Sequence, residues 1–158
     1  MTKDRRLGKG PRESYVEMIE QVLPGDTNSL GTVFGGKVMM WIDMAAAVSV
    51  MRHVRGAVVT ASIDRVDFHA PAYVGHIMVL KSKVLYAGRT SVEVGVEVLA
   101  ENPLTGQRHL TTDALLTFVA IDKKGKPVEV PQVYPETEEE KRKYAEGEQR
   151  RAERKKAK

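Results

Sequence analysis

The stretch Pro24–Val48, PGDTNSLGTVFGGKVMMWIDMAAAV, decides the architecture. Its first half is loop chemistry: four glycines, a proline, and Asp26, Thr27, Asn28 and Ser29 leave no helical or strand period. A connection of this length inside a compact domain is either functional or unstructured. Leu30, Val33 and Phe34 supply apolar anchors and predict an ordered loop. After Gly35-Gly36 the chain runs to Val54 without a Gly or Pro, and Met and Ala, both good helix formers, dominate. Apolar side chains fall on every face of this helix, so it is expected to be buried all round. A helix without a polar face needs a wrapping.

The flanking sequence supplies it. Upstream, ESYVEMIEQV (13–22) reads as a strand, with a short helix as the alternative. Downstream of Gly56 the period changes to two: 57–69, 77–86, 90–99 and 107–121 are rich in Val, Ile, Thr and Leu. Val92, Val94, Val96 and Val98 alternate with Glu93, Gly95 and Glu97. The breaks are turn sequences: Ala70-Pro71, Val74-Gly75, Ala87-Gly88-Arg89, Asn102–Gly106 and Asp122–Gly125. Such short connections favour antiparallel neighbours. The expected fold is α+β, a curled five-stranded antiparallel sheet around one long central helix, with the last four strands in a meander. Its uncovered face and edge strands favour dimerisation or higher assembly.

The chain has 158 residues, one domain's worth, and no cysteine, which excludes disulfides, thiolate nucleophiles and Cys-ligated metals. The basic excess sits at the ends. Residues 136–158 hold nine Lys/Arg against seven Glu, and 1–13 hold five against two acids. The body, 14–135, holds eleven basic and twelve acidic residues, and aromatics are only 6%, which argues against a nucleic-acid surface. No apolar run is long enough to span a bilayer, and no hydrophobic segment follows the basic start, so no membrane association is expected and the cytoplasm is the expected compartment. Residues 1–12 read as a disordered leader, 13–130 as the folded domain, and 131–158 as a charged tail, frayed or dependent on assembly. Helical pairs such as Glu138–Arg142 and Glu139–Lys143 contribute only about 0.2–0.5 kcal/mol each.

Asp43 is the sharpest chemical feature. Met39, Met40, Ala46 and Ala47 flank it at helical spacing, and burying an unpaired carboxylate costs several kcal/mol. It either accepts hydrogen bonds from a neighbouring strand or loop, or it works on a ligand. The space beside two small alanines favours the second. Gly35 and Gly36 open the helix, where unpaired amides can polarise a carbonyl oxygen or simply mark a tight entry turn. They lie roughly 10 Å from Asp43 along the helix, so two subunits could together supply one site. Asn28 either shapes the loop or orients water or a carbonyl. The hairpin turn Arg89-Thr90-Ser91 either holds phosphate or is a polar turn. His53, His69, His76 and His109 lack ligand spacing, so no metal site is expected. No GxSxG, P-loop or GxGxxG motif occurs.

Together, PGDTNSLGTVFGGKVMMWIDMAAAV, VVTASIDRVDFHAP and AGRTSVEVGVEV resemble the hotdog-fold acyl-CoA thioesterases of the brain-type and bacterial acyl-CoA hydrolase group. The likeness runs from about Tyr15 to Pro127. It implies a hydrolase releasing fatty acid and CoA, with no cofactor or metal beyond the CoA carried by the substrate. It further implies that Asp43 is the catalytic carboxylate, with Asn28 acting alongside it across a dimer interface and Gly35 and Gly36 beside the thioester carbonyl. CoA would lie along Val59, Thr60, Arg89, Thr90 and Ser91. The implied assembly is a homodimer, built into a trimer of dimers. The rival readings are a non-catalytic acyl-CoA-binding regulator and a dehydratase acting on acyl carriers; for the latter, His53 is poorly placed.

Overall fold

In the computed structural model, residues 8–157 are described. The elements run β1 (Val16–Gln21), α1 (Gly35–Val54), β2 (Val58–Phe68), β3 (Ile77–Ala87), β4 (Ser91–Glu101), β5 (Arg108–Ala120) and α2 (Glu138–Ala157). The strands form one antiparallel sheet in the order β1-β3-β4-β5-β2. The sheet curls around α1, giving the hotdog fold expected from the sequence.

The four-strand meander does not form. Tight hairpins join β3 to β4, where Gly88 N–H donates to Ser91 O, and β4 to β5, where Gly106 takes a left-handed φ of 77°. Between β2 and β3 the connection is longer and broken by Pro71, with Gly75 at φ 92°. It carries the chain across the sheet, so β2 pairs with β5 at one edge and β3 pairs with β1 near the other.

The core lies between α1 and the concave sheet face. Trp41, Ile42, Ala45, Ala46 and Val50 meet Leu80, Val84, Val92, Val94, Leu116 and Phe118, all buried. The even valines of β4 reach the core because alternate strand residues share one face. Two buried polar contacts pin α1. Ser49 Oγ donates to Ser82 Oγ at 2.8 Å, and His53 Nε2–H donates to the Pro131 carbonyl at 2.9 Å. Burial pushes the His53 imidazole below its ordinary value. Arg55, at φ 56°, closes α1 in the left-handed conformation, its N–H donating to Met51 O.

The helix is not enclosed on all sides. Met40, Met44 and Met51 are 45%, 49% and 42% exposed, forming an uncovered apolar face on a single chain. One curled sheet cannot encircle a helix, so this side is left for something else to cover.

Both ends depart from the sequence reading. Residues 1–7 lie outside the described part, but 8–12 of the expected leader are packed. Lys9 bridges to Val133, and Pro11–Ser14 form a 3₁₀ turn whose buried Ser14 Oγ accepts from Val84 N–H. The supposed frayed tail contains α2, which lies against the outer face of the sheet. Thr137 and Glu140 form a reciprocal cap at its start, each side chain accepting the other's N–H. Tyr144 stands edge-on to Tyr86 with ring centroids 5.1 Å apart. Gly147 sits so close that a Cβ there would come within 2.6 Å of Tyr86 Cβ. Arg150 Nε donates to the buried carboxylate of Glu93 at 2.6 Å. Of the helical pairs expected, Glu139–Lys143 forms, whereas Glu138 meets Lys141 and Arg142 meets Glu146. Docking, and not helical propensity alone, holds this segment.

Candidate active site

Asp43 projects from the third turn of α1 toward β2. Its Oδ1 accepts a hydrogen bond of 2.8 Å from Thr60 Oγ1, and its other oxygen takes none from the described residues. The side chain is half-buried and not sealed in the core as the apolar sequence around it suggested, because it borders the open side of the helix beside Met40 and Met44. A carboxylate with one oxygen held and the other facing open space can accept a proton from water or attack an electrophile. Thr60, expected from the resemblance to contact CoA, here orients Asp43. Its neighbour Val59 is exposed on the edge strand.

The loop before α1 is built by its own polar side chains. Asp26 accepts from Leu23 N–H at 2.9 Å and pairs with Lys37 at 3.3 Å, and these donors hold its carboxyl below the usual range, the backbone N–H most of all. Asn28 Oδ1 accepts from Leu30 N–H and Thr32 N–H, while Nδ2 donates to Thr32 Oγ1 at 2.8 Å. Within one chain, therefore, Asn28 is exposed, makes its hydrogen bonds inside the loop and makes none with Asp43.

At the start of α1, the amides of Gly35 and Gly36 take no acceptor among the described residues, whereas Lys37 and Val38 N–H both return to Phe34 O. A Cβ at Gly36 would lie 2.6 Å from the exposed Phe34 ring, which would have to swing aside. These two amides are donors waiting for an acceptor. They sit about two turns from Asp43 and do not share a site with it in a single chain.

Arg89, Thr90 and Ser91 form the β3–β4 turn. Their carbonyls accept from Val130, Ala120 and Gly88 N–H. In the register, Thr60 lies opposite Phe118, which lies opposite Val92, so the turn is two strands away from Asp43's partner. The structure thus joins Asp43 to Thr60 and leaves Asn28, the glycine amides and the turn apart within one chain. The basic residues that α2 brings to this turn, Arg151 and Arg154, escaped the sequence reading, which treated the tail as outside the domain. Among the described residues, no group of three or more His, Cys, Asp or Glu could hold a metal ion, and no helix is long and apolar enough to cross a membrane.

Comparison with known proteins gives one family. The thioesterase superfamily model matches residues 30–107. An acyl-CoA thioester hydrolase of Bacillus subtilis (strain 168), itself uncharacterised, is 49% identical over 129 residues, covering 82% of this chain and 75% of its own length. The crystal structure of an apo-hexameric acyl-CoA thioesterase superposes with a TM-score of 0.91 at 51% identity, covering 96% of this chain and 97% of that one. An acyl-CoA hydrolase from Staphylococcus aureus, in complex with butyryl coenzyme A, coenzyme A and coenzyme A disulfide, gives 0.86 at 44% identity, covering 94% and 90%.

Proposed function

The chain belongs to the thioesterase superfamily, and on that premise we propose that it is an acyl-CoA hydrolase whose reaction is centred on Asp43. It converts acyl-CoA and water to a free carboxylic acid and CoA. The observation that carries the site assignment is the half-open Asp43 carboxylate, one oxygen held by Thr60 and the other available. Asp43 takes a proton from water as the water oxygen bonds to the thioester carbon. The C–S bond then breaks, and CoA leaves as a thiolate that is protonated. Direct attack by Asp43, through an anhydride that water opens, is the alternative use of the same oxygen. A thioester is already activated, so positioning, a base and oxyanion stabilisation suffice.

A second subunit completes the site. The exposed Met40, Met44 and Met51 face and the edge strand β2, with Val59 44% and Ile63 39% exposed, lie on one side of the chain and suit a copy of themselves. Asn28 and the amides of Gly35 and Gly36 then come from the partner, Asn28 orienting water or the acyl group and the amides polarising the carbonyl. Val59, Thr60, Arg89, Thr90 and Ser91 border the CoA. Dimers joined in threes make a hexamer, and a hexameric relative supports that number of subunits. The enzyme works in the cytoplasm without a metal or added cofactor. The test is release of CoA thiol from a panel of acyl-CoAs by wild type and Asp43→Asn. Turnover by the wild type and its collapse in the variant is expected; full activity in the variant would remove Asp43 from the mechanism.

A further inference from the structure

We infer that Asp64 is a positioning residue for the reaction: it holds the register of the edge strand β2 that brings Thr60 to Asp43. The inference rests on the acyl-CoA hydrolase reading, in which Asp43 and Thr60 form the reacting centre. In an antiparallel sheet, directly opposite residues share a face. Along β5, Phe118, Thr117, Leu116, Leu115 and Ala114 pair in turn with Thr60, Ser62, Ile63, Arg65 and Val66 of β2. Ala61 and Asp64 are therefore passed over, and each marks a β-bulge. Phe118, Leu116 and Ala114 belong to the core packed on α1, so Thr60, Ile63 and Val66 turn toward the helix at a spacing of three. A regular strand, with its period of two, cannot give that spacing.

The register carries the chemistry. If the bulge at Asp64 were lost and that at Ala61 kept, residues 58–63 would slide by one. Thr60 would then stand opposite Val119, on the outer face, and Asp43 would lose its donor. Asp64 is the residue that ties this bulge down. Its Oδ1 accepts from Ser62 Oγ and its Oδ2 from Thr117 Oγ1, both at 2.7 Å. Ser62 precedes the bulge on the same strand and Thr117 lies opposite Ser62 on β5, so one carboxylate clasps the strand to itself and to its neighbour. Thr117 Oγ1 in turn accepts from Arg154 Nη1 at 3.2 Å, and the same Nη1 stands 3.9 Å from Asp64 Oδ1. The clasp sits on the outer face, away from the helix, with the Asp64 side chain 23% exposed. Among the described residues its hydrogen bonds go to Ser62 and Thr117 and not to Asp43 or Thr60, so it acts on the reacting pair only through the strand.

The experiment is a double-mutant cycle of Asp64→Ala with Thr60→Val in the full chain, read as CoA thiol release and as hydrogen exchange across residues 58–63. Asp64→Ala should lower kcat about tenfold while KM stays within about twofold of wild type. Asp64→Asn, which offers an acceptor to Thr117 and a donor to Ser62 Oγ, should restore most of the rate. In the Thr60→Val background, Asp64→Ala should cost almost nothing more, because both changes remove one interaction. Exchange across 58–63 should quicken in Asp64→Ala and hold in Asp64→Asn. Should Asp64→Ala fail to fold, Thr117→Val, which keeps the shape and removes one donor, takes its place in the cycle. Additive losses, an unchanged kcat, or a kcat loss that comes with a fall in mass by light scattering overturns the inference. A wild type that cleaves no thioester overturns the hydrolase reading instead. Exchange alone then judges the clasp, and an unchanged rate in Asp64→Ala overturns it.

Discussion

Thr60 Oγ1 lies 2.8 Å from Asp43 Oδ1, tying the central helix to the edge strand at the one carboxylate on the helix's open side. The bond fixes which carboxylate oxygen is left for chemistry. Thr60→Val keeps the shape and removes the donor, so kcat should fall about tenfold while the fold persists. Asp43→Asn should cost about 10²–10⁴-fold. Thiol release measured for both variants checks the order, and a Thr60→Val loss as deep as that of Asp43→Asn would make Thr60 a reacting group.

Thiol release should survive prolonged dialysis against EDTA. A loss restored by a divalent ion would contradict hydrolysis by Asp43 and water alone.

Met44 is 49% exposed at the centre of the methionine face of α1. Met44→Glu places a charge where an apolar partner is expected and should yield a monomer. Light scattering coupled to gel filtration reads the mass, and hydrolysis should fall with it if, as proposed, Asn28 and the glycine amides are supplied to Asp43 by another subunit. An active monomer would show that one chain holds a complete site.

Gly147→Val forces a side chain into the 2.6 Å gap above Tyr86 and should destabilise the protein by about 1–3 kcal/mol through overpacking. Urea unfolding measures this, and an unchanged midpoint would mean that α2 contributes no stability.

His53 predicts the response to acid. Burial holds its imidazole below the ordinary 6.5, so the folded state keeps it neutral while the unfolded chain takes a proton. Its contribution is fully present above that ordinary value and is lost as pH falls through and below it. His53→Gln retains a donor for the Pro131 carbonyl and removes the titration. Thermal melts between pH 7 and 5 should slope less steeply for the variant than for wild type.

Local chemistry was the legible part of this chain. α1 and the hairpins β3–β4 and β4–β5 follow from helix formers, alternation and turn residues a few positions apart. The place of β2 did not follow, because its pairing with β5 joins Val58 to Ala120, residues far apart along the chain. The docking of α2, whose helical pairs are visible, did not follow for another reason. Its docking depends on Tyr144, on the absent side chain of Gly147 and on Arg150 finding a buried Glu93, none of which registers as an apolar stripe. Asp43 stood out by contrast with Met and Ala around it, but its Thr60 partner is a tertiary contact that no spacing announces. The exposed methionines looked like core because a sequence does not distinguish the inside of a subunit from an apolar face left open on it.

A stop codon or protease cut near Pro135 would remove residues that look expendable by composition. What remained would carry a scar: the Tyr86 ring bared on the back of the sheet, with Glu93 beside it stripped of its cation. Shortened forms of this protein should therefore stick to one another, and expression trials that trim the basic end for solubility would achieve the reverse.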